Sequence, residues 1–322
     1  MSIMQMLLAT SAGGVDMNSL YNTSTWLGNA TARDIDTGLD MTDGEGFVWI
    51  KNRDNTRDHL LYDTLRGANV EGVVNSDGSI TTTNNTRLTS FNNNGFSLGN
   101  NALVNESGDN IVAWSFKEGS GFLDIIEYSG NGVNGRTLSH SLGETPGLAI
   151  IKAKGGGGYD WMVWHPDFTN ISYADKLNEF GSQSPSPGMF TATPTSSSLF
   201  LKNNNFVNGS GENYMAYIFG NNDETVKCSS YTGNSSTQTV NVGFQPQWLL
   251  IKDTTRNEDW VIVDSVRTAS NGTGKFLFPN KNSVEATRNN GATFVSNGFS
   301  LANDNVINDN NRLYIYMAIA AA

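Results

Sequence analysis

The chain has 322 residues, room for two or three domains, and its 31 acidic residues outnumber 20 basic ones to give a net charge of −11. A surface of that sign repels a phosphate backbone, so a nucleic-acid partner is excluded. Only 16% of the residues are charged, and Asn, Ser, Thr and Gly take their place, the profile of a protein built from strands and tight turns.

The opening, MSIMQMLLATSA (Met1–Ala12), is apolar but lacks the Lys or Arg of a signal-peptide n-region. A short docking segment over residues 1–17 is expected instead, with Ile3, Met4, Met6, Leu7 and Leu8 as its contact residues. Met4–Ala9 and Tyr173–Phe180 (YADKLNEF) are the two stretches where a short helix fits. No apolar run reaches the roughly 18 residues that span a bilayer, so membrane insertion is not expected.

From Asn18 onward, four landmarks recur in order at a period of about 100 residues. The first is an aromatic followed by a turn, at Trp26-Leu27-Gly28-Asn29, Tyr128-Ser129-Gly130-Asn131 and Tyr231-Thr232-Gly233-Asn234. The second is an apolar run closed by Ile-Lys, at Lys51, Lys152 and Lys252, followed by a polar turn and a second apolar run. Trp248–Asp264 (WLLIKDTTRNEDWVIVD) shows that hairpin most fully; Phe47–Asp63 and Leu148–His165 are its copies. The third is Asn94-Gly95-Phe96-Ser97-Leu98, repeated at Asn297–Leu301 and reduced to Leu199-Phe200-Leu201 in the middle copy. The fourth is a last strand with a central alanine: IVAWSF, YMAYIF and YMAIA, with Ala113, Ala216 and Ala318.

Each copy holds short apolar runs rich in aromatic and β-branched residues, separated by turn signals. Seven Asn-Gly pairs supply the positive-φ positions that hairpins need. The expected fold class is therefore all-β: three tandem antiparallel β-sandwich repeats of jelly-roll or lectin-like form behind the N-terminal anchoring segment. The boundaries are 18–119, 120–223 and 224–322. The middle repeat is divergent, with His165 where the outer copies have Asp63 and Asp264, and a Ser/Pro-rich insertion over 181–198. The apolar last strand, Leu313–Ala322, must be buried in its own repeat or against a partner.

Residues that carry chemistry are few. Cys228 is the one cysteine, which excludes an intrachain disulfide framework, and its place in a strand predicts a buried thiol. His59, His140 and His165 share no ligand spacing, and no carboxylate pair alternates along a strand as a β-sandwich glycosidase requires. No catalytic residue, metal or cofactor is expected; calcium in the Asn/Asp-rich loops Asn221–Glu224 and Asn303–Asn311 is the one alternative. The pairs Asp63/Arg66 and Asp264/Arg267 read as charge-paired turns that close the second strand, worth about 1 kcal/mol or less if exposed. Trp161 and Trp164 lie three apart and so face opposite sides of a strand, which sends one of them toward a neighbouring repeat, another subunit or a sugar ring. With Ser184 and Ser186 of the insertion they form the candidate recognition surface.

The phrases VWIKNRDNTRDHLLYDTLRGA (Val48–Ala68), NNNGFSLGNNALVNESGDNIVAWSFKEG (Asn92–Gly119) and IIEYSGNGVNGRTLSHSLGETPGLAIIK (Ile125–Lys152) resemble the modules of tail-fibre-type virion proteins of marine tailed bacteriophages. MSIMQMLL resembles the short N-terminus of such proteins. The resemblance implies a non-enzymatic virion component, most naturally a tail fibre or other tail-attached host-recognition part. Its implied partners are other phage virion proteins of tail or capsid, a host surface glycan, and further copies of itself as a homo-oligomer, a trimer by likeness. Its implied location is the virion, assembled in the host bacterial cytoplasm. A capsid decoration protein is the alternative, and a secreted carbohydrate-binding or carbohydrate-cleaving protein the remote one.

Overall fold

In the computed structural model, residues 15–155, 157–268 and 273–322 are described. The expected docking segment with Ile3, Met4, Met6, Leu7 and Leu8, and the helix expected at Met4–Ala9, lie outside them. Among the described residues, helix is confined to a 3-10 turn at Met17–Ser19 and one α turn at Ala102–Asn105. Every named strand pair is antiparallel. The helix expected over Tyr173–Phe180 is corrected: Asp175–Lys176 is a strand that pairs with Met162–Trp164. Burial of Ala174 and Leu177 beside that pairing overrides a weak local helical period.

One strand order occurs three times. In the first segment the sheet runs Tyr21–Leu27, Asn110–Lys117, Gly46–Asn52, Leu60–Asp63, Val70–Val73, Thr81–Thr82. In the second it runs Leu123–Ser129, Asn213–Phe219, Leu148–Ala153, Met162–Trp164, Asp175–Lys176. In the third it runs Val226–Thr232, Leu313–Ala320, Pro246–Asp253, Trp260–Asp264. Each segment adds a three-stranded sheet built on the Asn-Gly-Phe landmark or its remnant, such as Arg33–Asp36, Gly95–Leu98 and Leu88–Asn92. Gly95 and Gly298 start the middle strand of two such sheets. A Cβ on Gly95 would sit 2.1 Å from the Ile35 carbonyl oxygen, and one on Gly298 2.0 Å from that of Val240. Only glycine admits that backbone approach.

The central strands are continuous apolar runs because they are buried on both faces. Gly46–Asn52 and Leu148–Ala153 have no exposed residue. One face packs against the segment's own small sheet, forming three separate clusters: Ile35, Val48 and Phe96 in the first, Leu138, Ile151 and Leu199 in the second, Val242, Ile251 and Phe299 in the third. The other faces meet in one shared core. There Phe116 lies 5.8 Å from Phe219 and 5.7 Å from Trp248, ring centre to ring centre, and Trp114 lies 6.5 Å from Trp248. The space left in that core is about 10 Å³ and wholly apolar in lining, at the lower limit for one water. The last strand, Leu313–Ala320, lies between two neighbours of its own sheet, so its apolar run is buried without another chain.

The register corrects one landmark. Ile50 and Ile151 pair with Ala113 and Ala216, but Ile251 pairs with Tyr316, not Ala318. Trp114, Tyr217 and Met317 are therefore the equivalent residues. The Tyr-Met-Ala string is displaced by two positions in the third segment, and a two-residue slip keeps every side chain on its face, so the pattern conceals it.

The three segments close into a ring through equivalent contacts. Trp161 Nε1 donates to Val73 O and Trp260 Nε1 to Lys176 O, each at 3.0 Å. The third member of that set is His59, buried beside the Phe278 backbone. The three lysines do the same. Lys51 Nζ donates to Asn52 O at 2.6 Å and to Asn282 O at 3.4 Å. Lys152 Nζ donates to Asp77 O at 3.1 Å and to Tyr159 O. Lys252 Nζ donates to Gly181 O and Asp253 O, both at 2.6 Å. First binds third, second binds first and third binds second.

The Asp-Arg pairs are corrected too: they are buried boundary contacts, not exposed turns. Arg66 Nε donates to Asp63 and Arg267 Nε to Asp264, with all four side chains inaccessible. Each aspartate takes a further bond from the next segment: the Tyr217 hydroxyl donates to Asp63 Oδ2 at 2.6 Å, and Trp114 Nε1 to Asp264 Oδ2 at 2.8 Å. At the third boundary the equivalent of those donors is Met317, which has no donor to offer, and the equivalent acceptor is His165. Burial pushes His165 down to about 4, so its ring is neutral. It accepts from the Asp167 N–H at Nδ1 and faces the Tyr316 carbonyl at 3.3 Å through Nε2, with Phe168 against it in place of an arginine.

Two predictions follow from these boundaries. Tyr217→Phe keeps the ring and deletes the donor, and should cost about 1.5–3 kcal/mol, the worth of a hydrogen bond to a charged group. Asp63→Ala strands Arg66 and should cost about 3–5 kcal/mol. Urea denaturation measures both, and a Tyr217→Phe loss under about 0.5 kcal/mol would sink the bridging role. The second concerns pH. Burial lowers Lys51 and Lys152 to about 8 from an ordinary 10.5. Between those values the unfolded chain holds protons that the folded chain has released, so these groups make stability climb with pH; below about 8 their burial penalty is present in full. Lys152→Met should flatten the climb between about pH 7.5 and pH 9.5 relative to the parent chain. An unchanged slope would refute the linkage.

Candidate functional site

Of the surface concavities among the described residues, two bear on function. The larger, about 620 Å³, lies on the small sheet of the first segment beside Asp34, Asp36, Phe91 and Asn92. Its polar groups are already engaged: Ser97 Oγ donates to Asp34, Asn92 Nδ2 donates to Ser97 Oγ at 2.9 Å, and Asp36 Oδ1 accepts the Gly38 N–H at 3.1 Å. The smaller, about 320 Å³, lies where the Ser/Pro-rich loop of the second segment meets the third. It is lined by Met162, Ala174, Asp175, Lys176, Glu179, Phe180, Gly181, Ser182, Ser184, Ser186, Pro187 and Asn257. This cleft is the better candidate, because an exposed aromatic, Phe180, stands beside Ser182, Ser184, Ser186 and Asn257 at a boundary between two segments.

Its walls follow from local sequence. The insertion expected over 181–198 is corrected: Phe190–Ala192 within it is the third strand of the small sheet, as Leu88–Asn92 and Ala292–Val295 are in the other segments, so the stretch differs in sequence and not in length. Met189 and Phe190 are buried in the second segment's own core, and Ser184 bridges Ala174 through N–H···O bonds of 2.8 and 2.9 Å. What remains open is the rim around Ser182–Pro187. Phe180 is 54% exposed and its ring faces Lys281 of the third segment, with Nζ 5.7 Å from the ring centre. An aromatic face beside hydroxyl, amide and charged groups suits a polyhydroxylated ligand, whose ring carbons stack while its hydroxyls hydrogen-bond. Lys176 is held at the rim by Asp160 and Glu179, at 2.8 and 3.0 Å. Beneath it, burial raises the Asp175 carboxyl, and Asp175 Oδ2 receives no hydrogen bond.

Of the four residues expected to form a recognition surface, Ser184 and Ser186 line this cleft. Trp161 and Trp164 do not reach any surface: they are 0% and 2% exposed. Trp161 enters the shared core and Trp164 its own segment's core, so the opposite-faces expectation holds and its outcome is a contact between segments. Sequence reasoning missed Phe180, Asn257 and Asp175. Asp175 had one available signal: the equivalent strand residues, paired to Leu61 and Ile262, are Gly72 and Leu277.

The loops considered for calcium are held by their own turns. Asn222 Oδ1 accepts from the Glu224 and Thr225 N–H groups, and Asp304 Oδ1 from that of Val306. Among the described residues no group of three or more His, Cys, Asp or Glu is placed to hold a metal ion, and no helix is long and apolar enough to cross a membrane. Cys228 is buried in Val226–Thr232, where desolvation raises its thiol, as expected of a structural cysteine.

The model of a domain family of unknown function, DUF7483, matches residues 16–322. The chain belongs to that family. The DUF7483 match takes in all three segments, including the boundary contacts that join the first to the third. No curated protein matches the chain.

Because Phe180 is largely solvated, Phe180→Ala should leave folding stability within about 0.5 kcal/mol of the parent chain. That makes it a clean probe of the cleft, and a larger loss in urea denaturation would show that the ring is structural.

Proposed function

We propose that this DUF7483 chain is a non-enzymatic structural component of a phage virion, a tail fibre or other tail-attached host-recognition part. In this reading its three segments are tandem jelly-roll or lectin-like sandwich repeats joined as one rigid body, and the cleft beside Phe180 binds a surface glycan. The observation that carries it is the division of labour along the chain. The features common to the three copies are used in core and boundary contacts, which leaves the divergent Ser/Pro-rich loop of the second segment, next to the exposed Phe180, to line a cleft with its own polar groups. The likeness of Val48–Ala68, Asn92–Gly119 and Ile125–Lys152 to tail-fibre modules supports the virion setting. Residues 1–16 would dock the body to the particle, since Met17 is already buried in the shared core. A homotrimer would have to form through outer faces, because the shared core is closed within one chain.

Capsid decoration is the second reading, favoured by the ring itself: three equivalent segments present a near-threefold face that suits a threefold-related site on a shell. Labelled chain imaged on particles separates the two, the tail reading requiring label at the tail. Deleting residues 1–15 should leave a folded protein that no longer joins the particle, and normal incorporation would overturn the docking role. On a glycan array the parent chain should bind and Phe180→Ala should lose that binding. Release of oligosaccharide from a host polysaccharide would overturn the non-enzymatic reading.

A further inference from the structure

The three equivalent positions Gly72, Asp175 and Leu277 differ in a way that packing does not require. Each pairs with the same strand residue of its segment, Leu61, Val163 or Ile262, and two of the three carry no polar group. A buried carboxyl costs several kcal/mol unless it is paired well. Asp175 stands 3.6 Å from the Lys252 amine, across the boundary between the second and third segments, and the two side chains are 2% and 0% exposed. Among the described residues, neither Lys51 nor Lys152, the equivalents of Lys252, forms an ion pair; each donates to two backbone carbonyls.

The hydrogen bonding around Lys252 arranges an attack. A neutral amine has two N–H bonds and one lone pair. The two N–H bonds are taken by Gly181 O and Asp253 O, both at 2.6 Å. The lone pair is left for the remaining polar neighbour, Asp175. On that residue Oδ1 accepts the Lys176 N–H at 2.7 Å, while Oδ2 has no hydrogen bond to hold it. Burial also moves the two groups toward their uncharged forms, lowering the lysine and raising the aspartate. The Trp260 ring, 6.0 Å from Nζ, closes the site.

We propose that Lys252 and Asp175 join in an intramolecular isopeptide bond that ties the second segment to the third. Lys252 Nζ attacks Asp175 Cγ. The Nζ–Cγ bond forms and the Cγ–Oδ2 bond breaks. Oδ2 leaves as water, carrying the carboxyl's own proton and one proton from the amine. No oxidant, metal or co-reactant enters the balance, and the cleft lined by Asp175 gives the water a way out. The bond would fix the cleft floor against mechanical load, and it stands or falls independently of glycan binding.

The test is the intact mass of the purified full chain under denaturing conditions. The expected mass is lower than that of the sequence by one water, and trypsin should yield residues 155–176 joined to 228–256, with no cleavage after Lys252. Lys252→Arg and Asp175→Ala should each restore the full mass, whether or not they fold. A parent chain of full mass, giving 155–176 and 228–252 as separate peptides, overturns the proposal. So does a water loss that persists in Lys252→Arg, which would place the dehydration elsewhere.

Discussion

The apolar face that each large sheet turns toward the other two is the constraint on which the molecule depends. A sheet with one small partner sheet could have left its second face solvated, with polar residues alternating along the strands. Here the second face carries Phe47, Trp114, Phe116, Phe219 and Trp248, and those residues find cover only if three sheets meet. Joining them into one core also raises the buried fraction above what segments of about 100 residues reach alone. Polar bonds at the boundaries then fix how the sheets meet. The shared core is non-directional, whereas a tryptophan N–H aimed at one backbone carbonyl specifies one relative placement.

The Asp-Arg boundaries show how far the copies are coupled. A buried aspartate and arginine are tolerable when every remaining lone pair and proton has a partner. Asp63 and Asp264 come close to that condition because Tyr217 and Trp114 reach them from the next segment, although Arg66 Nη1 is buried without a partner. At the third boundary Met317 offers nothing, and the chain holds neither an aspartate nor an arginine there. It holds His165 and Phe168, a neutral ring that meets a backbone carbonyl and an apolar ring that fills the space. The departure of the middle segment from its copies is thus matched by one in the third segment, 151 residues away.

Much of the fold was legible. The Trp248–Asp264 hairpin, the all-β class, the period and the buried thiol each rest on local pattern or spacing, which the sequence carries directly. What was not legible needed knowledge of what lies opposite. Asp63 and Arg66, three apart after a strand, look the same whether water or Tyr217 faces them. Continuous apolar runs announced two-sided burial, yet did not say that the second side was another segment. The third-segment alanine misled because a slip of two residues preserves the alternation on which the reading relied. In the site, Ser184 and Ser186 were legible from the Ser/Pro-rich composition of their loop, but Phe180 closed a stretch that fits a short helix, which the strand pairing of Asp175 and Lys176 excludes.

Departures from a repeat therefore divide into two kinds, and the boundaries tell them apart. His165 departs and its neighbour departs with it, so the local chemistry closes. Asp175 departs while Lys252 is the same lysine found in the other two copies, each bonded to one carbonyl of its own segment and one of a neighbour. Nothing in the shared architecture calls for a carboxyl at that point, since glycine and leucine serve it elsewhere. A change that adds a buried charge without a compensating change nearby is retained against its cost. At this boundary the cost is offset either by chemistry between the two side chains or by what the cleft above them binds, and the mass of the chain separates those alternatives without reference to any ligand.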